Sequence, residues 1–218
     1  MMYRRSSLWR MAIAAFALAL CGACAARTPR VERAPVNLLA VLPIEAAQAE
    51  PDPTARQRAA PPAPLPPDAG AAITGQIYRV LAHRSEFRFV PDVAVADALR
   101  REAVRQVPDR VARAVALGKA VGAEGVIFGR VSRFRERVGT EFGATQPAAV
   151  SFDLGLVVVS TGDVIWEGRF DQTQEPLSAN LLNWWMFWRG GPRWFTAREL
   201  AGLGVERLFE EMKSKVLR

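Results

Sequence analysis

Cysteine is nearly absent from this 218-residue chain, and both copies, Cys21 and Cys24, fall within the first 24 residues. The rest of the chain therefore has no disulfide, no thiol nucleophile and no cysteine metal site. Histidine occurs once, at His83, which excludes a histidine metal cluster. His83 sits where a helical pattern ends at Arg84, and a cation there suits the carboxyl-terminal end of a helix dipole. The chain also lacks a Gly-x-Ser-x-Gly elbow, a phosphate-binding Gly-rich loop and a His-Glu zinc motif. Carboxylates such as Glu167 and Asp171 lie among arginines, where ion pairing fits better than acid–base catalysis. The expectation is a protein that is not an enzyme and uses no metal or cofactor. Long apolar runs are missing too: residues 11–20 supply ten, about half of the roughly twenty needed to cross a bilayer.

That short run nevertheless has a clear context. Arg4, Arg5 and Arg10 precede or open it, and Leu20-Cys-Gly-Ala-Cys24 closes it with small residues ahead of a cysteine. The pattern resembles a bacterial lipoprotein signal peptide, residues 1–23, with Cys24 as the lipidated residue. Cleavage after a small side chain is met by Ala23, whereas a cut before Cys21 would put Leu20 in that position. A secretory signal cut without lipidation and an uncleaved anchor are the alternatives. Several fatty chains, palmitate among them, would make the membrane attachment stable where one chain binds only marginally. Ala25 and Ala26 follow, with no Asp resembling an inner-membrane retention signal. The expected location is the periplasmic face of the outer membrane.

Removing Arg4, Arg5 and Arg10 takes the formal charge from +7 to +4; the remaining excess reads as a solvated surface, with some attraction to anionic envelope polymers as the alternative. Nucleic acid is not an expected partner of an exported chain. About 195 residues would remain, enough for one compact domain.

After a tether, residues 24–35, the apolar run at residues 37–44 reads as a buried strand. Seven prolines between Pro51 and Pro67 follow, which predicts a disordered Pro-rich loop over residues 46–68. Ile73, Ile77, Val80 and Leu81 share one helical face, and residues 87–90 form a short strand. Pro91-Asp92 and Pro108-Asp109 each open a helix, with Asp as a carboxylate cap. Val95, Ala98 and Leu99 point inward on the first, and Val111, Val115 and Gly118 on the second. Arg100, Arg101, Arg105, Arg110 and Arg113 are expected in solvent. Residues 126–138, 149–160 and 164–172 are strands, with a turn at Ser160-Thr-Gly-Asp163. Val150, Phe152, Leu154, Leu156 and Val158 face one way, joined by Val164, Trp166 and Phe170. Arg133, Arg135 and Arg137 meet Asp153, Glu167, Arg169 and Asp171 on the other face, which fixes register.

Gly122-Ala-Glu-Gly-Val-Ile-Phe-Gly-Arg130 and Asp153-Leu-Gly-Leu-Val-Val-Val-Ser-Thr-Gly-Asp-Val-Ile-Trp-Glu167 resemble the core of periplasmic lipoproteins of the curli-channel and penicillin-binding-protein-activator type. They are also similar to the amino-terminal domain of the Tol propeller protein. The resemblance covers residues 36 to 175. It implies an α/β (α+β) fold, with a mixed sheet, a carboxyl-half antiparallel meander and helices packed on it, of the anticodon-binding or Tol-amino-domain kind. It also implies a non-catalytic role in envelope assembly, peptidoglycan synthesis or export, with an envelope protein as partner.

The Trp-rich helical segment, residues 177–195, departs from that pattern. Four of the six tryptophans fall within residues 184–194. Trp184, Trp185, Phe187, Trp188, Trp194 and Phe195 are candidates for membrane or partner contact, since indole rings beside Arg189 and Arg193 suit a headgroup layer. Burial in the domain or in a homo-oligomer is the other reading. Phe187, Trp194 and Phe195 are the ones expected outside. Thr196-Ala-Arg-Glu199 is a capping box that starts a last amphipathic helix carrying Leu208, Met212 and Val216. The whole of residues 36–218 reads as one domain. Ten-residue alternating strands also admit a subunit of an oligomeric outer-membrane secretion pore.

Overall fold

The computed structural model describes residues 36–47, 64–141, 143–174 and 193–216. Its centre is a mixed sheet in the order β3 (Arg88–Phe89), β1 (Leu38–Val41), β4 (Gly125–Arg135), β7 (Ala149–Val158) and β8 (Val164–Thr173), with β2 (Glu45–Ala46) also paired to β4. β1 is too apolar for an edge and lies between β3 and β4, parallel to both. Leu39, Ala40 and Val41 are fully buried, as a strand covered on both faces should be. Pro43 has no N–H to donate, and the chain resumes pairing with β4 at β2 (Glu45–Ala46), opposite Arg130 and Val131.

The expected meander is present. β4 pairs antiparallel with β7 (Ala149–Val158), and β7 with β8 (Val164–Thr173). At the β7–β8 turn Gly162 takes a φ of 78°, a value other residues adopt at a cost. The first long strand is shorter than predicted, ending at Arg135. Val138–Gly139 (β5) leaves the sheet and pairs with Ala144–Gln146 (β6) as a separate hairpin. Val164 is also displaced. A bulge at Leu156/Val157 shifts the register of β8, so Val164 stands 38% exposed while Trp166 and Phe170 stay buried.

Helices cover both faces of the sheet. α1 (Ala69–Ala82) buries Ile73, Ile77, Val80 and Leu81, the predicted stripe, against Val41, Ile127, Phe152, Leu154 and Phe170. α5 (Ala197–Val216) completes this core with Leu200, Val205, Leu208, Phe209 and Met212. Each fully buried aliphatic or aromatic side chain of that list contributes roughly 1.5–3 kcal/mol. The other face carries α2 (Asp92–Leu99), α3 (Glu102–Arg105) and α4 (Arg110–Val121), whose Val95, Ala98, Val104, Ala114 and Leu117 enclose Ala40, Val126, Phe128 and Val157. These described strands form an open sheet with helical layers on both sides, unlike a lipid-facing barrel wall. No described helix is long and apolar enough to cross a membrane.

Several local expectations need correction. Asp109 caps α4 as expected, accepting the Ala112 N–H at 2.7 Å. Asp92 does not cap, because α2 begins on it. Its carboxylate takes the Val93 N–H instead. On α4 the buried set is Ala114, Leu117 and Gly118, with Val111 and Val115 half-buried. Arg110 and Arg113 are half-buried as well, held by carboxylates and carbonyls described below. The Pro-rich tract is narrower than residues 46–68, since Ala46 is in β2 and Leu65 packs on the core.

Candidate interaction surfaces

Among the described residues no helix covers the half of one sheet face beyond α4, and charge gathers there. Cross-strand register sets Arg130 beside Asp153 and Arg169, Arg133 beside Ser151 and Asp171, and Arg135 beside Ala149 and Thr173. Arg130 donates to Asp153 at 3.1 Å, and Arg110 from α4 reaches the other carboxylate oxygen at 3.7 Å. Arg133 pairs with Asp171, and Arg169 joins the same carboxylate at 3.4 Å. Among the described residues, the Nε of Arg133 and of Arg135 are buried without a hydrogen-bond partner. Surface pairs of this kind are worth about 0–1 kcal/mol each, so the row sets strand register more than stability. Arg110 also lies over the Phe128 ring, 5.7 Å from its centroid. Arg113 donates to Glu45 at 2.7 Å and to the Val107 carbonyl at 2.8 Å. Both arginines were expected in water because their partners are remote in sequence.

Arg137 was grouped with this row, but the chain leaves β4 before it and its guanidinium donates to the Trp194 carbonyl. Trp194 is half-buried, and its N–H donates to the Glu141 carbonyl at 2.7 Å. Phe195, expected outside, is a core residue at 2% exposure. Its N–H donates to Gln174 Oε1 at 2.7 Å, and Gln174 Nε2 donates to the Arg193 carbonyl at 2.9 Å. Gln174 is itself buried, and nothing local in the sequence marks it as a clamp. Cys24, Trp184, Trp185, Phe187 and Trp188 lie outside the described residues.

α1 and α5 run side by side and leave a groove of ≈ 750 Å³ between their outer surfaces. Its ends are tied by ion pairs. Arg84 donates to Glu210 at 2.6 Å while lying over Phe209, and Lys213 donates to Glu86 at 3.0 Å. The Glu86 carboxyl is held below its ordinary value, by its own backbone N–H first and then by Lys213. At the other end the capping box forms as expected. Glu199 N–H donates to the Thr196 hydroxyl at 3.1 Å, and Thr196 N–H returns to Glu199 at 2.9 Å. Burial pushes the Glu199 carboxyl up, but Thr196 and Arg193 outweigh it and leave it below the usual value. His83 ends α1, its ring nitrogen 2.7 Å from the Arg79 carbonyl. Val80, Leu203 and Phe195 supply apolar lining, with Gln76 and Gly202 between them.

Neither surface has the layout of a catalytic centre. On the sheet face Asp153 and Asp171 are occupied by arginines, and among the described residues no three His, Cys, Asp or Glu side chains are placed to hold a metal ion.

Residues 69–171 match the family model of the peptidoglycan-synthase activator LpoB. The LpoB match runs from the start of α1 into β8 and contains both motifs on which the likeness to penicillin-binding-protein activators was drawn. It stops short of Gln174, the clamped residues 193–195 and α5. Among solved structures, the LpoB carboxyl-terminal domain from Escherichia coli is 18% identical over 63% of this chain and 83% of that one, with a TM-score of 0.42. The PelC dodecamer from Paraburkholderia phytofirmans is 15% identical over 79% and 84%, with a TM-score of 0.43. A lipoprotein from Neisseria meningitidis is 12% identical over 82% and 99%, with a TM-score of 0.46. Comparison with curated proteins gives no match.

Proposed function

We propose that this chain is a lipid-anchored periplasmic accessory protein that activates a peptidoglycan synthase by docking on it, without catalysing a reaction itself. The LpoB-type match over residues 69–171 carries this reading. The amino-terminal sequence supports the anchor: a basic start, a ten-residue apolar run and a small-residue junction before Cys24. Lipidation at Cys24 tethers the domain to the periplasmic face of the outer membrane, and the tether of residues 24–35 gives it reach toward a partner.

The open half of the sheet face is the docking surface that this function calls for. Its arginines stand on strands of one sheet, and Arg130, Arg133 and Arg169 keep much of their side chains in solvent, where a partner's carboxylates can reach them. Charged rows of this kind govern partner choice and association rate more than raw affinity. The test is glycan-chain polymerisation by a peptidoglycan synthase of the same envelope, with and without the purified chain. Stimulation that is lost in Arg133→Glu/Arg135→Glu, with the thermal melt retained, supports the proposal. No stimulation by the native chain, together with no co-purification, refutes it.

A further inference from the structure

The sheet ends at β8, a strand ten residues long. Its backbone groups alternate between β7 and the open side. The Gln174 N–H donates to the Ala148 carbonyl, and the register that pairs Ala149 with Thr173 and Leu156 with Trp166 continues from it unbroken. The even positions from Trp166 to Gln174 therefore bond to β7, as an antiparallel ladder requires. Glu167, Arg169, Asp171 and Thr173 turn their N–H and C=O groups the other way, where no described strand meets them. An edge of this length is a template for another strand unless something blunts it. β8 holds no proline and no lysine, and its irregularity lies at its start, before Trp166.

The side chains of that edge select the partner. Glu167, Arg169 and Asp171 alternate in sign on the open face of the sheet and are all exposed. Asp171 is taken by Arg133 and Arg169 of its own chain. Glu167 stands opposite Gly155 in the β7 register, so its own sheet offers it no side chain there. A second β8, antiparallel and centred on Gly168, sets Glu167 against Arg169 of the other copy and Arg169 against its Glu167. Those are the positions whose backbone groups point outward, so the charge pairs and the hydrogen bonds fall in one register. Gly168 stands on the two-fold axis, where facing Cα atoms approach to about 4.5 Å, and it brings no side chain to the crossing. Trp166 and Phe170 on either side of it are buried in the core that α5 closes. Other registers fit worse. Centring on Arg169 opposes that residue to itself and Glu167 to Asp171, and centring on Phe170 offers Arg169 an aspartate already engaged and leaves Glu167 opposite Thr173.

We propose that β8 is a homodimerisation edge, in which two copies join antiparallel through residues 166–170 about a two-fold at Gly168, with reciprocal Glu167–Arg169 pairs. Such a contact is isologous and closes after two chains. It makes one continuous sheet and sets the two open arginine faces side by side, which goes beyond docking by a single copy.

The test is sedimentation equilibrium of the full chain in a density-matched mild detergent. The native chain should show a reversible monomer–dimer equilibrium. Glu167→Arg and Arg169→Glu each oppose like charges at both contacts and should weaken it about tenfold or more. Thermal melts of both should match native, since both side chains are exposed. A mixture of the two single variants brings opposite charges together again and should form mixed dimers of native strength, and the double variant Glu167→Arg/Arg169→Glu should pair with itself. A native chain that is monomeric at about 0.1 mM, an assembly larger than two, a Glu167→Arg affinity equal to native, or no recovery in the mixture overturns the proposal.

Discussion

Gln174 and Phe195, 21 positions apart in sequence, are joined by a 2.7 Å hydrogen bond from the Phe195 N–H to the Gln174 side-chain oxygen. The other end of the same amide holds the Arg193 carbonyl, and the Gln174 N–H holds the Ala148 carbonyl at 3.0 Å. One buried residue thus fixes the entry to α5 against the end of β8 and the start of β7. Replacing it by Leu leaves a buried N–H and a buried carbonyl unpaired, each costing about 1–3 kcal/mol. Gln174→Leu should lower stability by about 2–6 kcal/mol on that account. Urea unfolding measures it, and a midpoint equal to native would show that the clamp carries little.

Two glycines of α1 and α5 should respond oppositely to alanine. Gly75 has open space where a Cβ would go and sits inside a helix, so Gly75→Ala should add about 0.5–1 kcal/mol. Gly204 lies against the Phe170 ring, with the Cβ position 2.6 Å from a ring carbon. Gly204→Ala should cost about 1–3 kcal/mol through overpacking. Thermal melts of the two variants side by side decide the matter.

Acid should loosen the start of α5. The Glu199 carboxyl is lowered in the folded chain, so its contribution is complete above the ordinary carboxyl value, about 4.3, and is lost as pH falls through the lowered folded value. Thr196→Ala removes the reciprocal hydrogen bond and should cost about 1 kcal/mol at neutral pH, with the gap between variant and native closing as the solution becomes acidic. A gap that stays constant down to pH ~2 would contradict the linkage.

Cys24→Ala should either block processing of the precursor or move the protein out of the membrane fraction. Mass spectrometry of the amino-terminal peptide and fractionation read both outcomes. Unchanged mass and fractionation would remove the lipid anchor from the account.

Local signals were legible and remote ones were not. The α1 stripe, the Asp109 cap, the Thr196–Glu199 box and the alternating face of β7 each depend on residues a few positions apart, and each forms as read. The burial of Phe195 depends on Gln174, that of Arg113 on Glu45, and the exposure of Val164 on a bulge in a neighbouring strand. No window along the chain contains those pairs. Asp92 missed its role for a subtler reason: Pro91 already supplies the helix entry, so the helix starts one residue earlier than a carboxylate cap allows. The α1–α5 groove was least visible of all, because Gln76 reads as one polar residue on an apolar helical face until α5 is laid across it.

The placement of α5 has a consequence for any attempt to trim the chain. Ile77, Trp166 and Phe170 belong to the core that α5 closes, and its last buried anchor is Met212. The region that matches LpoB, residues 69–171, leaves that cover out. A fragment cut to those bounds would expose one apolar face of the β7–β8 hairpin to water, and an expressed domain that is meant to fold needs its carboxyl end as far as Met212.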